Sequence, residues 1–126
     1  MTEIYILGVK INDISLTEAI RQIADFLLTG HKGYIVTPNP EICLQSYNNK
    51  TYRRILNNSL ISIPDGYGLK IGARIFNKRL NNTTTGIDLC ENILKLAEQN
   101  KYSILILVKS FFCLSSKAIL PKSEVK

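Results

Sequence analysis

GYIVTPNPEI, residues 33–42, is the stretch on which the fold turns. Tyr34, Ile35 and Val36 form a short apolar run between Gly33 and Thr37, the pattern of a buried strand that stops at Thr37. Asn39, Pro40 and Glu41 then supply a side-chain cap, a proline at the first helical position and an early acid, three marks of a helix start. The reading is strand, short turn, helix, with Thr37 at the strand's carboxyl end. LISIPDGYG, residues 60–68, repeats it: the apolar run stops at Pro64, and Asp65 stands at a second strand end beside Gly66 and Gly68.

Ile4 to Val9 reads as a strand, and Ser15 to Glu18 makes a capping-box pattern ahead of Leu16, Ala19, Ile20, Ile23 and Leu27. That predicts an amphipathic helix ending near Gly30. A helical stretch from Lys50 to Leu56 ends at Asn57 and Asn58. Gly66 to Phe76 predicts a short helix in which Gly68 and Gly72 permit close backbone approach, and Asn81 to Thr84 is a loop. Thr85 caps the next helix, whose apolar positions include Leu89, Ile93, Leu96 and Ala97, and Tyr102 to Val108 reads as a fully buried strand suited to a parallel sheet. Such alternation of strands and helices argues an α/β layer fold, whose ligand crevice lies beyond the strands' carboxyl ends. Thr37, Asn39 and Asp65 all fall on that edge.

The composition bounds the alternatives. With 126 residues, 45% of them hydrophobic and 21% charged, the chain has room for one domain of ordinary globular character. A formal charge of +6 suits acidic partners such as nucleic acid, anionic lipid or a phosphorylated substrate. The basic residues form neither an aromatic-interleaved motif nor a dense basic helix, so a nucleic-acid binder is the weakest of the three. Cys43, Cys90 and Cys113 match neither a disulfide framework nor metal-ligand spacing and read as small buried hydrophobes. The N-terminus has no basic segment ahead of an apolar one, which argues against a signal peptide, and the apolar run at 104–114 is interrupted by Lys109 and far short of the roughly 20 residues of a membrane span.

Each candidate site residue also has a structural reading. Asn39 can be no more than a helix cap, and Asp65 no more than a cap for a helix beginning at Gly66. Functionally, Thr37 and Asn39 could direct a hydroxyl and an amide into the crevice, and Asp65 could serve as a general base where the glycines of DGYG let a substrate approach. Thr85 and Gly86 open a helix whose amides could hold phosphate. Neither a P-loop nor a dinucleotide fingerprint is present, and His31 reads as a solvated loop residue.

Taken together, VTPNPE at 36–41, IPDGYG at 63–68, GARIFNK at 72–78 and TGIDL at 85–89 resemble the WecG/TagA/CpsF family of bacterial glycosyltransferases, glycosyltransferase family 26. The resemblance implies a Rossmann-like α/β enzyme that moves an N-acetylmannosamine-type sugar from a UDP donor to polyprenyl-diphosphate-linked N-acetylglucosamine. It implies an inverting reaction in teichoic acid or cell-surface polysaccharide synthesis, with no metal or other cofactor. The protein would be cytoplasmic, in peripheral contact with the inner membrane face, with no nucleic-acid partner and a homo-oligomer left open. It places the catalytic base at Asp65 and pocket contacts at Thr37 and Asn39; Gly66 beside that carboxylate, with Thr85 and Gly86 at a helix N-terminus, completes the expected substrate-binding set. Two departures stand out. Thr83 stands where the family usually has an arginine, and the family pattern is lost after Val108, where the chain continues KSFFCLSSKAILPKSEVK. The expectation is a truncated or frameshifted copy, with an N-terminal α/β region at 1–108 and a divergent basic tail at 109–126. An inactive remnant that binds a sugar phosphate or lipid diphosphate is the alternative.

Overall fold

The computed structural model of the chain describes residues 2–106. Its first element is a hairpin, β1 (Thr2–Ile6) and β2 (Val9–Asp13), paired antiparallel with Ile6 opposite Val9. The single strand expected over residues 4–9 is therefore two strands meeting at Leu7 and Gly8. Both turn residues have positive φ, 50° and 80°, which gives a two-residue turn the twist of its flanking strands. Leucine rarely adopts that conformation, so the pair carries no hairpin signature in sequence. Gly8 is also needed for space, because a Cβ there would lie 3.0 Å from Arg53 Cδ.

Helix α1 (Leu16–Leu28) begins as the capping residues predict: Glu18 N donates to Ser15 Oγ at 3.3 Å. Only half of the capping box forms, because the Glu18 carboxylate accepts from Arg21 and Gln22 instead of the Ser15 amide. β3 (Ile35–Val36) and β4 (Ile61–Ser62) pair in parallel, Ile35 with Ile61 and Val36 with Ser62, and α2 (Pro40–Tyr47) and α3 (Lys50–Asn57) make the crossover between them. The ladder continues beyond the two strands. Ile63 N donates to Val36 O, Asp65 N to Pro38 O and Gly66 N to Thr84 O, each at 2.9 Å, and Asp65 forms a parallel bridge with Thr84. Segments ending near Pro38, Asp65 and Thr84 thus run side by side in one direction. Helix α4 (Gly68–Ile75) lies on the path from Asp65 to Thr84, and α5 (Gly86–Asn100) leaves from Thr84.

Side chains alternate across this small sheet, as strand geometry requires. Ile61 and Ile63 join Ile14, Ala19, Ile23 and Leu89 in one buried cluster, with the half-buried Ile35 packed against it, where α1 packs on α5. Val36 faces the opposite cluster, built from Ile6, Val9 and Ile11 of the hairpin with Cys43, Leu56, Leu69, Ala73 and Leu80. The sheet is covered on both faces, an α/β arrangement as expected. Asn12, fully buried on β2, ties the hairpin to the sheet by accepting from Ser62 N at 2.7 Å. Apolar burial provides the main driving force, worth roughly 1.5–3 kcal/mol for each fully buried large aliphatic side chain.

Four expectations are corrected. The strand expected over Tyr102–Val108 is absent from 102–106: after Lys101 turns the chain at φ 56°, these residues run as exposed coil, with Leu105 82% accessible. Their β-forming composition finds no ladder partner among the described residues. Leu107 and Val108, the boundary at 108 and the tail at 109–126, including Cys113, lie outside the described residues. The helix expected from Gly66 starts at Gly68, with Tyr67 at its cap position and no side-chain cap, so Asp65 does not cap it. Gly68 does sit close to a neighbour, a Cβ there falling 3.0 Å from Pro40 Cγ, but Gly72 has nothing within 4 Å. Cys43 is buried as expected, whereas Cys90 is exposed on α5.

Candidate functional site

Asn39 and Asp65 occupy similar places, each one residue past a proline at the end of a parallel segment. Asn39 spends its side-chain oxygen locally, accepting from Ile42 N at 2.9 Å to cap α2. Its amide hydrogens have no partner among the described residues. Asp65 instead reaches 21 residues along the chain, Oδ1 accepting from Gly86 N at 2.8 Å. The carboxylate therefore caps α5 from outside, where the helix dipole favours negative charge. Oδ2 has no partner among the described residues, and the side chain is half-buried.

Thr37 meets this pair. A Cβ added to Gly86 would lie 3.6 Å from Thr37 Oγ1 and 3.8 Å from Asp65 Oδ1. The missing side chain of Gly86 thus leaves a small space bounded by a hydroxyl and a carboxylate. Gly66 has φ 80° and open space where its Cβ would be, as a turn that frees the approach to Asp65 requires. The Gly66 amide is engaged by Thr84 O and is not free to donate elsewhere.

The start of α5 is more occupied than its sequence suggests. Thr85 Oγ1 accepts from Asp88 N at 3.1 Å, and the Gly86 amide belongs to Asp65. Two carboxylates, Asp65 and Asp88, already stand at this helix end. Thr85 is exposed and retains its hydroxyl hydrogen as a donor. Thr37, Asp65, Gly66, Thr85 and Gly86 are thus gathered around one strand-end crevice, while Asn39 stands at its edge through the Pro38 to Asp65 backbone bond. Thr84 was missed by sequence reasoning; it is buried and bridges to Asp65, and no local signal marks a one-residue parallel bridge.

Other titratable groups have quieter surroundings. Burial works to raise the Asp13 pKa, but hydrogen bonds from the backbone and side-chain N–H groups of Asn82 and Asn81 outweigh it and hold the carboxyl below its ordinary value. Those four bonds, 2.8–3.1 Å long, pin the loop ahead of Thr84 to the hairpin. Burial pushes the Cys43 thiol up to about 11, which makes it an inert core residue. His31 is exposed, with Nδ1 2.8 Å from Thr29 Oγ1 and its ring tilted against Phe26, as a loop residue. Among the described residues no group of three or more His, Cys, Asp or Glu could hold a metal ion, and no helix is long and apolar enough to cross a membrane.

Comparison with known proteins fits these motifs. The chain is similar to a Bacillus spizizenii protein named N-acetylglucosaminyldiphosphoundecaprenol N-acetyl-beta-D-mannosaminyltransferase, 32% identical over 90 residues, which are 71% of this chain and 35% of that one. A Staphylococcus aureus protein of the same name is 26% identical over 104 residues, 81% of this chain and 41% of its own length. A Bacillus subtilis protein, again of that name, is 32% identical over 72 residues, 57% of this chain and 28% of its own. The chain therefore spans well under half the length of these curated relatives. The family model for the glycosyl transferase WecG/TagA/CpsF family matches residues 4–110, through every segment that builds the crevice, and the chain belongs to that family.

Proposed function

We propose that the crevice at Thr37, Asp65 and Gly86 is the catalytic face of a hexosyltransferase that moves an N-acetylmannosaminyl group from a UDP donor to a polyprenyl-diphosphate-linked N-acetylglucosamine. The observation that carries this reading is the convergence of the Thr37 hydroxyl and the Asp65 carboxylate on the space left by Gly86. In one displacement the acceptor hydroxyl oxygen bonds to the anomeric carbon and its proton passes to Asp65 Oδ2. The anomeric carbon–phosphate oxygen bond breaks, its electron pair leaves with UDP, and the configuration inverts. The Gly86 amide fixes the carboxylate through Oδ1 and leaves Oδ2 to take the proton. Thr37, the amide hydrogens of Asn39 and the Thr85 hydroxyl are the donors that orient sugar hydroxyls, and Gly66 and Gly86 give them room. The protein meets its lipid-linked acceptor peripherally, at the cytoplasmic membrane face.

UDP release from candidate UDP-sugars, with a short-chain lipid acceptor, tests the reading on this chain beside a full-length relative. Acceptor-dependent release that Asp65→Asn removes supports it; release that survives this substitution in both proteins would take Asp65 out of the base role. The match to only 35% of the Bacillus spizizenii relative's length favours a second reading, in which this chain alone holds substrate without turning it over. Saturable UDP-sugar binding with no UDP release from this chain, beside turnover by the relative, would select it.

A further inference from the structure

The residues described around the crevice, Thr37, Asn39, Asp65, Gly66, Thr85 and Gly86, include no cation, and the amides of Gly86 and Asp88 at the start of α5 are already engaged, so a substrate bearing phosphates needs positive charge from elsewhere. Such charge is gathered in a concavity of about 340 Å³ lined by Lys70, Arg74, Arg79, Leu80 and Asn81. Lys70 and Arg74 stand four residues apart on α4, and so on one face of that helix. Arg79 is brought beside them by the way α4 ends. Asn77 adopts φ 54°, its N–H donates to Arg74 O at 3.1 Å, and Lys78 N donates to Ala73 O at 2.7 Å, a left-handed helix stop that turns the chain back. Leu80, only 2% exposed, anchors the returning loop, and Asp13 fixes the next two residues through both of its oxygens.

The cations are therefore held together on a fixed frame. Among the described residues no carboxylate pairs with any of them; Lys70 Nζ reaches the Asn81 carbonyl, at 3.5 Å, and lies 5.8 Å from the centre of the Tyr67 ring, contacts that leave its charge unneutralised. Asp13, the carboxylate closest in this network, directs both oxygens at Asn81 and Asn82. Arg74 in the last turn of α4 complements the helix dipole, but that does not account for Lys70 or Arg79. Like charges confined to one cleft repel unless an anion joins them, and two guanidinium forks with an ammonium suit the several oxygens of a phosphate or diphosphate.

We propose that Lys70, Arg74 and Arg79 form a binding site for phosphate groups, distinct in position from the strand-end crevice and one helix away from Asp65 in the chain. The site stands on its own geometry; only the assignment of its ligand as the diphosphate of a substrate rests on the function proposed above. Ile71 and Ile75 on the same helix are exposed, so phospholipid headgroups are the second source of the same chemistry.

The full chain is titrated with inorganic diphosphate at low salt by calorimetry, as wild type, Arg74→Gln/Arg79→Gln, Arg74→Glu and the remote control Lys95→Gln. Saturable binding that weakens roughly tenfold or more in both cleft variants, and not in the control, is expected. Cosedimentation with phosphatidylglycerol and phosphatidylcholine vesicles identifies the source. Capture by the anionic vesicles alone, lost in the cleft variants, assigns a headgroup; diphosphate binding without capture assigns a soluble or substrate phosphate. No saturable binding in either arm, or equal loss in Lys95→Gln, overturns the site. Neither result depends on turnover, so failure of the glycosyltransferase reading leaves this test intact. All substituted positions are at least partly exposed, and unchanged circular dichroism checks that the variants fold.

Discussion

Asn39 and Asp65 sit in matching places and do different work. Each follows a proline at the carboxyl end of a parallel segment, and each side-chain oxygen caps a helix. Asn39 caps the helix that it begins, three residues away, and its bond is the local pattern that stabilises many helix starts. Asp65 leaves its own helix uncapped and caps one that starts 21 residues later. A local cap serves the element; a cap from another segment fixes the relative position of two strand ends. Only the second arrangement builds a crevice, and it leaves one carboxylate oxygen open within it.

Changing Asp65 separates its cap on α5 from the base role proposed for it, and no other substitution should cost more activity. Asp65→Asn keeps an oxygen for the Gly86 amide but cannot take a proton, so in a full-length relative carrying the matching aspartate, turnover falls by roughly 10²–10⁴ while folding is retained. Asp65→Ala should lose the same activity and also the bond to α5, visible as a lowered unfolding midpoint. Equal turnover in the Asn variant and the parent would reduce Asp65 to a long-range cap, and the contrast with Asn39 would become one of distance alone.

Gly86→Ala probes the space between the hydroxyl and the carboxylate. The new methyl would meet Thr37 Oγ1 and Asp65 Oδ1 at ordinary van der Waals distances, so it fits the fold. Its stability should stay within about 1 kcal/mol of the parent, since alanine suits a helix better than glycine. It would nevertheless fill the room that the proposed function gives to a substrate. Substrate binding is expected to weaken about tenfold or more, read as a raised KM in the relative, and an unchanged KM would place the substrate elsewhere.

What sequence disclosed follows the same division. The start of α2 was legible because Asn39, Pro40 and Glu41 act on neighbours within one turn. So was the α/β alternation, because each helix and strand carries its own period. The hairpin was hidden because Leu7 takes a conformation that its residue type disfavours, and the surrounding structure overrules that preference. The role of Asp65 as a cap for α5, the Thr84 bridge and the cationic cleft depend on contacts between distant segments, which no local window contains. Tyr102 to Ile106 shows the converse: composition suited to a strand does not make one without a partner edge.

Asn39→Ala tests the local half of the comparison. Loss of the α2 cap should cost about 1 kcal/mol in a denaturant titration, and Asn39→Asp should restore it, since aspartate caps as well as asparagine. Any loss of ligand binding that Asn39→Asp fails to restore would give the free amide hydrogens a role in the crevice. Full activity in both variants would leave Asn39 with its structural job only.

The smallest expected effect belongs to Asp13, a second carboxylate that bridges distant segments, from the hairpin to the loop ahead of Thr84. Its hydrogen bonds from Asn82 and Asn81 overcome the effect of burial and lower its pKa in the folded protein. A carboxylate with a depressed folded pKa contributes stability that is fully present above its unfolded pKa, near 3.8, and is lost as pH falls through the lower folded value. The side chain is only partly buried, so solvent screening keeps the contribution modest. Urea unfolding of Asp13→Asn and the parent should therefore differ at pH 7 and converge as pH falls from 3.8 through the lowered folded value. A difference that persists unchanged into that acid range would mean that the loop is held by the shape of its hydrogen bonds and not by the charge on Asp13.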